Sequence, residues 1–106
     1  MVPIKKVEEL ITKHSLLEKE LSLGQTEKKQ FAEKSKEYSD LHDIIEQAKQ
    51  YSSFEKEKNE LEKIIDSSDS ENEMKVLALT ELKELKKQHE INEKKLKLFL
   101  LPKDEA

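Results

Sequence analysis

Residues 26–66, TEKKQFAEKSKEYSDLHDIIEQAKQYSSFEKEKNELEKIID, contain neither glycine nor proline and decide the fold. Apolar residues recur along this stretch at spacings of three and four, the period of one helix face. The stripe consists of Phe31, Tyr38, Leu41, Ile44, Ile45, Ala48, Tyr51, Phe54, Leu61, Ile64 and Ile65. It predicts one helix over residues 26–65, about 60 Å long at about 1.5 Å per residue. Ser52 and Ser53 can bond to their own backbone, which favours at most a slight break there.

A shorter helix is predicted before this stretch, over residues 3–23. Pro3 suits a first helical position, because the N–H that it lacks would have no partner there. Gly24, the only glycine, stands where a residue at positive φ commonly ends a helix, and Thr26 can cap the next helix. The two helices are therefore joined by a tight turn. The apolar positions of the first helix are Ile4, Val7, Leu10, Ile11, Leu17 and Leu21.

A third helix is predicted over residues 70–101. Ser70 and Glu73 have the spacing of a capping box, and Pro102 ends the helix. The short loop before Ser70 forces helices two and three to run antiparallel. The fold class is therefore all-α, an elongated three-helix bundle with a long antiparallel helix 2/helix 3 hairpin. The apolar stripe of the third helix is Met74, Leu77, Ala78, Leu82, Leu85, Leu96 and Phe99.

Composition supports this class and excludes several functions. Charged residues make up 42% of the 106 residues and hydrophobic ones 34%, which is typical of long helices with a thin core. Cysteine is absent, so disulfides, thiolate metal sites and thiol redox chemistry are excluded. No signal peptide or membrane-spanning run is visible, and we expect a cytoplasmic protein. All 20 basic residues are lysine, which disfavours sequence-specific reading of nucleic acid.

Charge is distributed unevenly along the predicted bundle. Residues 1–36 and 75–106 each carry 8 Lys and 6 acids, whereas residues 37–74 carry 4 Lys and 12 acids. The hairpin tip is therefore acidic and repels a polyanion, so only the opposite end is suited to approach phosphate groups. The alternative is that these lysines are simply solvated on helix surfaces. The lysines of this basic end are Lys28, Lys29, Lys34, Lys36, Lys94, Lys95 and Lys97.

Three groups of residues resemble chemical sites, but we predict no catalytic, cofactor or metal site. The sequence HEINE places His89 and Glu93 one helical turn apart, but no third ligand lies at a suitable spacing. His14 and His42 stand alone on amphipathic stretches, and the acids of 66–73 lack the glycine and alternating oxygens of a calcium loop. No nucleophile lies beside a base. We therefore expect a binding or positioning domain rather than an enzyme.

The densest apolar run lies directly before Pro102. Its four adjacent residues span all sides of a helix turn, so at least one must point outward when the others pack on helix two. We predict that they serve interdomain contact or self-association, the latter as a homodimer of the fragment. We also expect residues 102–106 to begin a linker to a downstream domain. The residues of this apolar run are Leu98, Phe99, Leu100 and Leu101.

Three stretches, FAEKSKEYSDLHDIIEQAKQY (31–51), DSENEMKVLALTELKELK (69–86) and LLPKD (100–104), resemble the N-terminal helical domain of bacterial-type class I peptide chain release factors of the release factor 1 type. The resemblance implies a factor that enters the ribosomal A site at a stop codon and triggers hydrolysis of peptidyl-tRNA. The Gly-Gly-Gln loop and codon-reading tripeptide of that family lie in later domains, and neither occurs here.

The same resemblance implies partners for this domain: the stalk base of the large ribosomal subunit, the release-factor glutamine methyltransferase, and the downstream domains of the same protein. Two alternatives come from other classes. One is a free-standing antiparallel coiled-coil scaffold, which composition alone would favour. The other is a helical RNA-binding arm, against which the acidic hairpin tip argues.

Overall fold

The computed structural model describes residues 2–24 and 27–102, and this part of the chain contains four helices and no strand. They are α1 (Ile4–Leu23), α2 (Lys28–His42), α3 (Ile45–Asp66) and α4 (Asn72–Leu100). The all-α class is therefore as predicted. The predicted cap Thr26 and residues 103–106 of the predicted linker lie outside the described residues.

The single helix predicted over 26–65 is instead two helices, which makes four helices rather than three. The chain turns at Asp43 and Ile44, where the Asp43 N–H donates to the Ser39 carbonyl at 3.2 Å and the Ile44 N–H to the Leu41 carbonyl at 3.0 Å. The turn allows Ile44 and Ile45, which are adjacent, both to be buried. No turn occurs at Ser52, where α3 is continuous. Packing, rather than a local breaker, therefore sets the end of α2.

Local sequence does explain both ends of α1. Pro3 is the residue before the helix, and its carbonyl accepts hydrogen bonds from the N–H groups of Lys6 at 3.1 Å and Val7 at 3.3 Å. Gly24 follows the last turn with φ of 66°, the left-handed conformation that glycine adopts without strain. Gly24 agrees with the turn expected between the first two helices, whereas Pro3 lies one residue before the first helical position that was predicted for it.

The predicted capping box before α4 is wrong. The helix begins at Asn72 after Glu71, and no side chain caps it. Ser70 lies too far from the first turn, because the chain enters the helix one residue later than the capping-box spacing requires. The loop is instead organised by Ser67, whose Oγ accepts a hydrogen bond from the Asp69 N–H at 3.2 Å.

The helices form two antiparallel hairpins. In α1 and α2, Lys13 contacts Glu37 at 3.1 Å, and nearer the turn Glu20 pairs with Lys34. In α3 and α4, the side chain of Asn92 bonds to that of Gln50, and the contacts continue in opposite chain directions towards the loop at 67–71. The first half of α1 lies on α3. The described part of the chain measures 60 × 35 × 19 Å.

The core lies where α1, α3 and α4 meet, away from the tip of the second hairpin. Leu10, Ile11 and Phe99 pack against it while keeping part of their surface exposed. Towards the hairpin tip, Met74 and Leu77 were predicted to join the apolar stripe but are more than half exposed, because only α3 faces α4 there. The buried residues of this central cluster are Val2, Val7, Ile44, Ala48, Tyr51 and Leu96.

Two polar groups are integrated into this packing. The Tyr51 hydroxyl accepts a hydrogen bond from the Val2 N–H at 3.1 Å and donates one to the Val2 carbonyl at 3.0 Å. Asn92 is 1% exposed, and its amide donates to Gln50 Oε1 at 2.9 Å and accepts from Gln88 Nε2 at 3.0 Å. The Tyr51 hydroxyl and the Asn92 amide thus both have the hydrogen-bond partners that burial requires.

Candidate functional site

The seven lysines of the basic end fall into two groups. Four are on α2 and three on the last turns of α4. Lys36 of α2 and Phe99 of α4 line the same shallow groove beside Leu41, but none of the three α4 lysines lines it, so the structure does not join the two groups at this groove. Lys28 and Lys29 begin α2, two turns further from this groove.

Two of the seven lysines already have acidic partners within the chain. Lys34 pairs with Glu20 across the first hairpin, and Lys97 lies 3.8 Å from Glu93 one turn earlier on α4. Among the described residues, no ion pair occurs at Lys28, Lys29, Lys36, Lys94 or Lys95. These five are the lysines with their charge available to a partner.

The apolar run before Pro102 is divided between core and solvent. Phe99 packs against the core, whereas Leu98 is 70% and Leu101 57% exposed. Leu100 is partly exposed on the last turn of α4. Three of the four predicted contact residues therefore present apolar surface, and Phe99 serves mainly to hold the end of α4 on α1 and α2.

His14 and His42 do not stand alone, as the sequence suggested, but contact each other across the first hairpin. His14 Nε2 and His42 Nδ1 are 3.1 Å apart, and Tyr38 stacks on both rings at centroid distances of 4.7 and 5.6 Å. Burial lowers the pKa of His14, although Glu18 nearby opposes that shift. Tyr38 donates a hydrogen bond to Glu18 at 2.9 Å, which raises the pKa of the phenol.

His89, the histidine of the HEINE motif, is part of an aromatic stack. Its ring lies 3.7 Å from that of Phe54 and 4.7 Å from that of Tyr51, with interplanar angles of 16° and 15°. Its Nδ1 is buried and has no hydrogen-bond partner in the described part of the chain. Within the same residues, no group of three or more His, Asp or Glu side chains is placed to hold a metal ion.

A second groove, of about 740 Å³, runs along the outside of the second hairpin between α3 and α4. Its apolar lining comes from Phe54, Leu61, Ile64 and Leu85, and the aromatic stack of His89 closes one end. Glutamates line both of its sides. Sequence analysis missed this groove because it depends on which residues of α3 lie level with which residues of α4, and only the antiparallel register determines that.

None of the helices in the part of the chain that the structure describes is apolar enough over a sufficient length to span a bilayer. The described part of the chain is thus an elongated all-α domain of two hairpins, with a glutamate-lined groove between α3 and α4.

The comparison with known families identifies which domain of this class it is. Residues 10–106 match the PCRF domain family, and the chain belongs to that family. No solved structure matches it.

The chain is also similar to curated proteins. It is 62% identical over all 106 residues to peptide chain release factor 1 of Pelagibacter ubique, of which it covers 30%. It is 42% identical over 74 residues, 70% of its length, to peptide chain release factor 1 of Ehrlichia canis, and equally to that of Ehrlichia ruminantium, covering 21% of each. The chain thus spans less than a third of the length of these relatives.

Proposed function

We propose that this chain is the N-terminal helical domain of a translation termination factor that acts at stop codons on the ribosome. The observation that carries the proposal is the 62% identity, over the whole chain, to a peptide chain release factor 1. The domain is non-catalytic in this proposal, and the hydrolysis of peptidyl-tRNA belongs to other domains. A free-standing coiled-coil scaffold is less well supported, because it does not account for a match to the PCRF family over residues 10–106.

A domain exchange tests this proposal directly. The segment of the Pelagibacter ubique factor that matches this chain is replaced by residues 1–106, and stop-codon-dependent peptide release is measured on purified ribosomes. We expect the chimera to release peptide and the 106-residue chain alone to release none. A folded chimera without activity would contradict the assignment, and so would release by the isolated chain.

We further propose that the lysine-bearing end contacts the stalk base of the large ribosomal subunit in the cytoplasm. The five lysines that form no ion pair among the described residues supply the positive charge that phosphate contacts need. Replacing Lys28, Lys29 and Lys36 with Glu should weaken ribosome binding of the chimera and reduce its dependence on salt. Lys34 is left unchanged because of its pairing with Glu20.

The matched control neutralises acids at the hairpin tip, where we expect no effect on ribosome binding. Suitable positions are Asp66, Asp69 and Glu71, which lie at or beside the loop between α3 and α4. Weaker binding in the tip variant than in the lysine variant would reverse the proposed orientation. The release-factor glutamine methyltransferase and the downstream domains remain further proposed partners, the latter through Leu98, Leu100 and Leu101, whose apolar surface is exposed.

A further inference from the structure

We propose that the groove between α3 and α4 binds an amphipathic helix of a partner protein, one that carries lysine or arginine on both sides of an apolar stripe. The inference concerns the chemistry of the partner and does not rest on the proposed role in termination. It follows from three properties of the groove: its apolar floor, the charge of its sides, and the register of the hairpin.

The floor of the groove is apolar and long enough for a helix. Leu61 and Ile64 from α3 and Leu85 from α4 are only partly buried by the hairpin itself. The lining runs along α3 from Gln50 to Ile64, which corresponds to about 21 Å at about 1.5 Å per residue. About four turns of a partner helix therefore fit along it, and burying its apolar stripe would remove this surface from water.

The charged side chains that line the groove are all glutamates. Glu57 and Glu60 line it from α3, and Glu81 and Glu84 line it from α4. No lysine is among the lining residues, although the chain contains 20. Within the described ranges, none of these four glutamates forms an ion pair. Among the described residues, no ion pair therefore neutralises these four carboxylates.

The register of the hairpin arranges these glutamates in two levels. The Gln50–Asn92 hydrogen bond and the Phe54–His89 stack set which residues of α3 and α4 lie side by side. Followed towards the tip, this register brings one glutamate of α3 level with one of α4, and then a second pair about one turn further on. The two pairs are Glu57 with Glu84 and Glu60 with Glu81.

A helix in this groove would present matching charges. Residues three or four apart project from the same side of a helix with the same one-turn spacing. Long lysine or arginine stems can extend outward from the groove to carboxylates on either side, while leucine-like residues cover the floor. A purely apolar helix would instead desolvate four glutamates without giving them partners, which is unfavourable.

The same charges exclude a nucleic acid as the occupant. Phosphate groups would approach four uncompensated carboxylates, and binding of nucleic acid depends on neutralising phosphate with cations. The groove is also not a metal site, because the described residues hold no group of three or more suitable ligands at metal-binding distances. A basic amphipathic helix satisfies both the apolar floor and the acidic sides.

The test uses synthetic helical peptides of about 18 residues, slightly longer than the groove. One carries an apolar leucine stripe flanked by lysines, and its counterpart has glutamate at every lysine position. Each is labelled with a fluorophore and titrated with the 106-residue protein, and binding is followed by anisotropy. We expect the basic peptide to bind, more tightly at low salt than at physiological salt, and the acidic peptide not to bind.

Two protein variants of equal net charge locate the binding. The groove variant replaces the four lining glutamates with glutamine, and the control variant replaces four exposed glutamates elsewhere. The groove variant lacks all four carboxylates that would pair with the peptide, so we expect it to bind the basic peptide at least about tenfold more weakly than the wild-type protein does. We expect the control variant to bind it less than about twofold more weakly. The groove variant is E57Q/E60Q/E81Q/E84Q, and the control is E8Q/E9Q/E46Q/E90Q.

A measurement on the wild-type protein avoids dependence on the folding of any variant. NMR methyl signals of Leu61, Ile64 and Leu85 should shift when the basic peptide is added, and those of Leu98 and Leu101 should not. If the control variant weakened peptide binding as much as the groove variant, the proposal would be overturned. The peptide would then respond to the net charge of the protein and not to the groove. Shifts confined to residues outside the groove, or no binding of the basic peptide at millimolar concentration, would overturn it as well.

Discussion

Replacing Tyr51 with Phe should destabilise the fold through the loss of a single oxygen atom. The Tyr51 hydroxyl makes two buried hydrogen bonds to Val2, one to its N–H and one to its carbonyl, at 3.1 and 3.0 Å. Phe keeps the ring, its stack on His89 and its place beside Leu96, so packing changes little. The variant therefore isolates the contribution of these hydrogen bonds.

The expected loss can be worked out from the two bonds. A hydrogen bond contributes about 1 kcal/mol net, and a buried group left without a partner costs about 1–3 kcal/mol. Val2 lies before α1 and can relax by lifting from the core, which limits the loss to about the value of its own burial, about 1.5–3 kcal/mol for a Val-sized side chain. We expect the free energy of unfolding to fall by about 2 kcal/mol.

Urea unfolding followed by circular dichroism at the helix band measures this loss. If the free energy of unfolding depends on urea concentration with the same slope in both proteins, the substitution has not changed the unfolded state. Tyr38→Phe is the matched control, because the hydrogen bond from its hydroxyl to Glu18 is exposed to solvent. We expect its effect to be much smaller. Hydrogen exchange at the Val2 amide should accelerate in Tyr51→Phe alone. A Tyr51→Phe loss no larger than that of Tyr38→Phe would refute the reasoning.

Three further predictions concern other features. Folding lowers the pKa of His14, so on acidification the unfolded chain binds a proton at a higher pH than the folded chain does. The contribution of His14 to the free energy of unfolding should therefore be fully present above pH about 6.5 and decrease below it. His14→Gln should remove part of that fall in urea unfolding across pH 7.5 to 5.5, and an unchanged profile would contradict the argument. Gly24→Ala should cost about 1–2 kcal/mol, measured the same way, because only the left-handed φ and no neighbouring atom opposes the new methyl group. Leu98→Glu with Leu101→Glu should abolish any concentration-dependent dimer seen by light scattering while leaving helix content unchanged, and a wild-type chain monomeric at millimolar concentration would contradict self-association.

A feature of this fold can be predicted from the sequence when neighbouring residues determine it, and cannot when contacts with distant residues do. The all-α class was readable from the periodicity of residues 26–66, and the turn at Gly24 from a single residue whose conformation is special. The turn at Asp43 was not readable, because no glycine or proline marks it and the burial of Ile44 and Ile45 against distant residues determines it.

The same distinction between neighbouring and distant residues applies to the proposed interaction surfaces. The exposure of Leu98 and Leu101 follows from four apolar residues on one turn, which no single partner helix can cover. The contact between His14 and His42 joins residues 28 positions apart, and the glutamates of the groove become neighbours only through the pairing of α3 with α4. These surfaces depend on how one helix is aligned along another, and the apolar periodicity of a single helix does not determine that alignment.

The hydrogen bond from the buried Asn92 amide to Gln50 fixes the position of α4 along α3. Sliding α4 along α3 by one turn, about 5.4 Å, would separate Asn92 from Gln50 and leave the buried amide N–H of Asn92 without its acceptor. An interface of leucines alone would tolerate such a slip far better. The spacing between the acidic tip and the core is therefore constant, so a molecule that touches both ends of this domain at once must match one fixed distance.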